Sequence, residues 1–268
     1  MLGYVCKYTP MELFEAMDTE ITRLEPSVTD FNHADTLMHA NICSYTKAVL
    51  EDVMEHDYEG VILTTCCDSI RRLYDTLKSQ FPDKFFFLLD IPRKFNDFAV
   101  TLYERQLKQM LTEYEAFSGK TLDLKRFVST MQNKAALKKQ ENTRMSASAV
   151  SEKGNGQKLN IGIMGARCNN EIRQLLVDRG ANLLFDLTCT GLARDFSITE
   201  DQVLHSYAAA LLNQIPCMRM LKAANREHFL DGFTDRLDGI IYHTVKFCDS
   251  YSYEYADFRQ RLDLPILL

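Results

Sequence analysis

The chain has 268 residues, 46% apolar and 25% charged, an ordinary globular balance that excludes wholesale disorder and suggests one large domain or two smaller ones. Lys and Arg number 31 against 37 Asp and Glu, a net charge of −6; general phosphate-backbone binding draws on clustered cations, so no nucleic-acid partner is expected. No apolar run approaches about 18 residues, and Glu12 comes too soon for a signal-peptide core, so a soluble, cytoplasmic protein without a membrane partner is expected.

In chain order, a first helix opens near Pro10, a tolerated early position. Tyr45–His56 reads as a helix with Val49, Leu50 and Val53 on one face, and Gly60–Thr65 as a buried parallel strand. A helix over Ser69–Phe81, a strand over Phe85–Leu89 and a long amphipathic helix over Asp97–Phe117 follow, then a helix from Leu124 to Leu137. Residues 138–157 are rich in Lys, Gln, Ser, Asn and Gly and read as a flexible linker. Alternation then resumes: strand Leu159–Met164, helix Asn169–Arg179, strand Asn182–Leu187, helix Glu200–Gln214, strand Gly239–His243, helix Tyr251–Leu262 and strand Pro265–Leu268. Such alternation predicts an α/β fold with parallel sheets covered on both faces. The expected domains are 1–137 and 158–268, joined by 138–157. No helix follows the last strand to cover it, which suggests a C-terminal domain truncated at its end.

Eight cysteines are too few for a disulfide scaffold in a chain of this length, and in a reducing compartment they read as metal binding, redox chemistry or packing. Their placement favours a site. Cys66 and Cys67 follow one predicted strand, Cys189 a second and Cys248 a third, while Cys43 stands at a helix start and Cys217 past a helix end. Cys6 lies in the N-terminal loop. Ligands of open α/β sheets bind outside the carboxyl ends of the strands. There is no C-x-x-C pair, which argues against a compact zinc ribbon, whereas widely separated cysteines can still hold an iron–sulfur cluster. Gly162-Ile-Met-Gly165 reads as a tight strand-to-helix turn and not a phosphate loop, since a third glycine and a Walker lysine are missing. His243 reads as a core or supporting residue, and Arg71-Arg72 and Arg93-Lys94 as solvated charges.

Several stretches together resemble one family. They are Gly3-Tyr-Val-Cys-Lys-Tyr-Thr-Pro10, Asn41-Ile-Cys-Ser-Tyr45, Gly60 to Asp75 with its Thr-Thr-Cys-Cys-Asp, Leu89-Asp-Ile-Pro92, Phe185-Asp-Leu-Thr-Cys-Thr-Gly191, Ile215-Pro-Cys217 and Asp238 to Asp249. In order and content they resemble the 2-hydroxyacyl-CoA dehydratase and benzoyl-CoA reductase family, of the 2-hydroxyglutaryl-CoA dehydratase D-component type, most closely its double-cubane cluster proteins. The resemblance implies two Rossmann- or flavodoxin-like domains whose parallel sheets face each other across a cluster-binding cleft. It matches Cys43, Cys67 and Cys248 to the ligands of a 4Fe–4S cluster, and Cys6, Cys189 and Cys217 to further ligands of an 8Fe–9S double cubane. Grouping by halves sets Cys6, Cys43 and Cys67 on one cubane and Cys189, Cys217 and Cys248 on the other; Cys168 is left as a packing residue. The implied function is ATP-dependent, low-potential reduction of a small substrate, with electrons from a separate ATP-hydrolysing 4Fe–4S activator, in a homo- or heterodimer. The alternatives are a 2-hydroxyacyl-CoA dehydratase subunit with one 4Fe–4S cluster and an acyl-CoA substrate, or a degenerate, non-catalytic relative.

Overall fold

A computed structural model describes residues 1–28, 30–134, 158–189, 198–220 and 224–268; the expected linker, 138–157, lies outside them. It holds two four-stranded sheets, parallel throughout. The first combines β1 (Leu2–Tyr4), β2 (Ile21–Arg23), β3 (Gly60–Thr64) and β4 (Phe85–Leu89) in the order β2-β1-β3-β4. The second combines β5 (Asn160–Gly165), β6 (Asn182–Thr188), β7 (Gly239–His243) and β8 (Ile266–Leu267) in the order β6-β5-β7-β8. Both follow the flavodoxin-like order, so the α/β expectation of two parallel-sheet domains holds.

The helices of the first half are α1 (Met11–Ala16), α2 (Asn32–Leu37), α3 (Ser44–Glu55), α4 (Asp68–Gln80), α5 (Asp97–Ser118) and α6 (124–134). Those of the second are α7 (Asn170–Asp178), α8 (Val203–Leu212), α9 (Ala224–Asp231) and α10 (Asp249–Arg261). Strand β3 is buried along its whole length, as a strand covered on both faces must be. Val49, Leu50 and Val53 of α3 and Ile70, Leu73 and Leu77 of α4 pack with its Val61 and Leu63 and with Phe86 of β4 in one core. Helix α5 begins where the Asn96 side chain accepts from the Ala99 N–H at 2.9 Å, a cap for an otherwise unpaired donor. It ends at Gly119, whose φ of +71° the chain needs to leave the helix.

The two compact units interleave along the chain. The first joins Met1–Phe127 with Thr199–Asn213 and Val245–Cys248; the second joins Val128–Ile198, Gln214–Thr244 and Asp249–Leu268. Helix α8 is thus part of the first unit. Its buried Tyr207 donates to the Glu12 carboxylate and meets Phe127 edge-on, with ring centroids 5.0 Å apart. The elements that sequence periodicity misses are β1, β2, α2 and α9. The two strands have three residues each, too few to show an alternation. Among the described residues no helix is long and apolar enough to cross a membrane.

Candidate functional site

In the first unit, β1 and β3 are neighbours, Tyr4 opposite Ile62, yet the chain leaves them toward opposite sides: to β2 after β1 and to β4 after β3. Such a reversal opens a crevice outside the carboxyl ends of the two strands, the usual ligand position in sheets of this kind. Cys6 follows β1 there, and Cys66 and Cys67 follow β3. All three are partly buried against the same core. The loops that carry them are pinned. The Thr9 N–H donates to the Cys6 carbonyl at 2.9 Å. The Thr65 N–H donates to the Leu89 carbonyl at 3.0 Å, its hydroxyl donates to Asp90 at 2.7 Å, and it accepts from the Ile91 N–H at 3.1 Å. Cys67 is the N-cap of α4.

Cys43 is the N-cap of α3 and is buried. Cys248 reaches it from far along the chain. The Ser44 N–H donates to the Lys246 carbonyl at 3.0 Å, and the Cys248 N–H closes the turn on the Val245 carbonyl at 3.0 Å. Phe247 takes a φ of +63° in that turn, a left-handed conformation that costs a non-glycine residue about 1–2 kcal/mol. Grouping by halves sets Cys248 with Cys189 and Cys217, whereas the turn that carries it docks on the start of α3 and belongs to the first unit.

The Cys43 thiol is drawn down to about 6, first by the Cys248 thiol donating to it and then, against burial, by the backbone N–H groups of Thr46 and Tyr45 at the open helix start. Thiolate is therefore the favoured form of Cys43 at pH 7. The folded value lies below the unfolded one, so the stability this provides is present above the ordinary thiol range and is lost as pH falls through about 6. In metal-free protein, ultraviolet thiolate absorbance should show one group titrating near pH 6. Cys248→Ala should move that step upward, while Cys248→Ser, which keeps a donor, should leave it low. A step unmoved by Cys248→Ala would show that the pair does not form.

The second unit carries two thiols that both act on Tyr251. Cys189 follows β6 and lies 2.8 Å from the Tyr251 hydroxyl of α10. Burial, before any charge effect, pushes Tyr251 well up, so the phenol keeps its proton and can donate to the sulfur. Cys217 lies close enough to act electrostatically on both Tyr251 and Arg226. Arg226 on α9 is fully buried, and its Nη2 donates to Glu254 at 3.0 Å. Tyr242 of β7 donates to the same carboxylate oxygen. The Arg226 Nε and Nη1 have no partner among the described residues. Cys168, just past β5, is fully buried, and burial pushes its thiol up. His243 ends β7 opposite Gly165; burial holds its imidazole down, hence neutral at pH 7.

Among the described residues no group of three His, Cys, Asp or Glu side chains converges on a single ion. Cubane ligands bind separate irons and stand further apart than that. Within the first unit the thiols stand at loop and helix starts, and one of them is drawn down to about 6; within the second, a buried guanidinium has donors without a partner among the described residues. Sequence reasoning picks out the cysteines but misses Tyr251, Arg226, Glu254 and Tyr242. The Tyr251-Ser-Tyr-Glu-Tyr255 run is the one local signal, more aromatic than a merely solvated helix requires.

The family model described as 2-hydroxyglutaryl-CoA dehydratase, D-component, matches residues 6–147 and 128–268. The chain belongs to that family. The two matches take in all eight cysteines, and iron–sulfur clusters are general in the family. A search of the curated proteins finds no match.

Proposed function

We propose that this chain is an iron–sulfur component of the 2-hydroxyacyl-CoA dehydratase type, with Cys43, Cys67 and Cys248 as its central ligands and Cys6, Cys189 and Cys217 as further ones. The observation that carries the reading is the Cys43–Cys248 pair, two thiols 205 residues apart in sequence, one drawn down to about 6. A low thiol value in a buried position suits a ligand, because metals bind the thiolate. Family membership supports the same reading.

A bound cluster would supply single electrons at a potential below that of ordinary ferredoxins, about −400 mV, which is why ATP-driven delivery by a separate 4Fe–4S activator belongs to this proposal. The chain's own residues provide thiolates, the pinned loops that aim them and burial that limits water. The second unit's two thiols, Cys189 and Cys217, favour an 8Fe–9S double cubane reducing a small substrate. A single 4Fe–4S cluster on Cys43, Cys67 and Cys248, all in the first unit, favours dehydration of a 2-hydroxyacyl-CoA. Iron and acid-labile sulfide, measured on protein prepared without oxygen, separate them. About eight irons per chain are expected for the double cubane and about four for the single cluster, with broad absorbance near ~400 nm in either case. Stoichiometric zinc without sulfide would overturn the proposal.

A further inference from the structure

We infer that Arg226 is a positioning residue for an anionic sulfur centre on Cys189 and Cys217, where its Nε and Nη1 donate to sulfur and offset the negative charge. The inference rests on the iron–sulfur reading above.

Arg226 has none of its surface exposed, yet among the described residues one carboxylate, Glu254, answers its charge, through Nη2 at 3.0 Å. That carboxylate is shared, because the Tyr242 hydroxyl donates to the same oxygen. Two more polar atoms of the guanidinium, Nε and Nη1, are buried without a partner among the described residues. A buried charged donor with nothing to donate to is costly, and native folds keep such groups where an acceptor arrives. The other groups that act on it electrostatically are Tyr251 and Cys217, and Tyr251 is held against Cys189 at 2.8 Å. Of these, Cys217 offers a sulfur acceptor directly, and Tyr251 leads to the sulfur of Cys189. Two thiolates and the sulfides they carry would bring negative charge into a region whose buried cation already stands in place. Glu254 and Tyr242 orient the guanidinium, and Tyr251 holds Cys189, so the centre would be met by donors that need no rearrangement.

The test uses the full chain loaded with iron and sulfide without oxygen. Wild type, Arg226→Met, Arg226→Lys and the double variant Arg226→Met/Glu254→Gln are compared for reduction potential, followed by electron paramagnetic resonance, and for iron release to a chelator. Both methionine variants should release iron several-fold faster; Arg226→Met should also shift the potential to more negative values, the double variant by less because it removes the Glu254 charge as well. Arg226→Lys, which keeps the charge but has fewer donors, should hold the potential nearer wild type and still release iron faster. If Arg226→Met cannot fold because Glu254 is left unpaired, the double variant, which removes both charges, carries the test; if neither folds, faster release from Arg226→Lys is required. Wild-type potential and release in these variants would overturn the inference while leaving the cluster reading intact. A wild type that takes up no iron would overturn both.

Discussion

Replacing Cys43 or Cys248 by alanine should strip most of the iron and sulfide from protein prepared without oxygen, whereas Cys168→Ala should keep both. The two sensitive thiols meet at the start of α3, held there by the Ser44–Lys246 hydrogen bond. On the proposed reading, removing either leaves the cluster one ligand short, and removing Cys248 also takes away the donor that draws the Cys43 thiol down. Cys168 is fully buried, with its thiol pushed up by burial, so its loss should appear as a small packing defect. Cys189→Ala and Cys217→Ala decide how far the centre extends. Partial loss of iron in both assigns them to a second cubane, and full retention confines the cluster to the first unit's cysteines. If Cys168→Ala lost as much iron as Cys248→Ala, the ligand assignment would be wrong even with a cluster present.

Gly165→Ala should be among the most damaging single substitutions in the second unit. Gly165 ends β5 with a φ of +104°, where a side chain is strained whatever the space, and a Cβ there would lie 2.1 Å from the His243 carbonyl oxygen. That oxygen accepts from the Ala166 N–H at 2.7 Å, so the carbonyl cannot turn away without breaking the link that closes β5 onto β7. Strain and collision together should cost on the order of 3 kcal/mol or more, read as a urea midpoint lower by about 1 M. Gly180→Ala is the control. Its φ is +83° but nothing lies within 4 Å, so it should show the backbone strain alone, about 1–2 kcal/mol. Equal losses in the two variants would show that the β5–β7 approach yields more readily than its geometry implies.

Much of the architecture is legible in the residues themselves. The apolar run Gly60–Thr64 and the spacing of Ile70, Leu73 and Leu77 are local patterns, set by the two-residue period of a strand and the 3.6-residue turn of a helix. They place β3, β4 and β7 and α3, α4 and α5 to within a residue or two at each end. The same local order puts Cys67 after a strand and Cys43 at a helix start. The three-residue strands β1 and β2 carry no such period, and without them the reversal beside β3, where Cys6 and Cys67 stand, is invisible.

Two features belong to tertiary structure alone. Cys248 follows a strand of the second sheet, and nothing near it in sequence says that its turn docks on α3, where the Ser44 N–H donates to the Lys246 carbonyl. Arg226 reads as an ordinary charge on a polar helix until packing buries it against Glu254 and near Cys217. Periodicity reports which face of an element is buried, since neighbouring residues share one backbone geometry. Which distant side chains meet there depends on how separate elements pack, and that is why the sequence by itself determines where the cysteines stand and the longer strands and helices, while tertiary packing decides the Cys43–Cys248 approach and the buried cation.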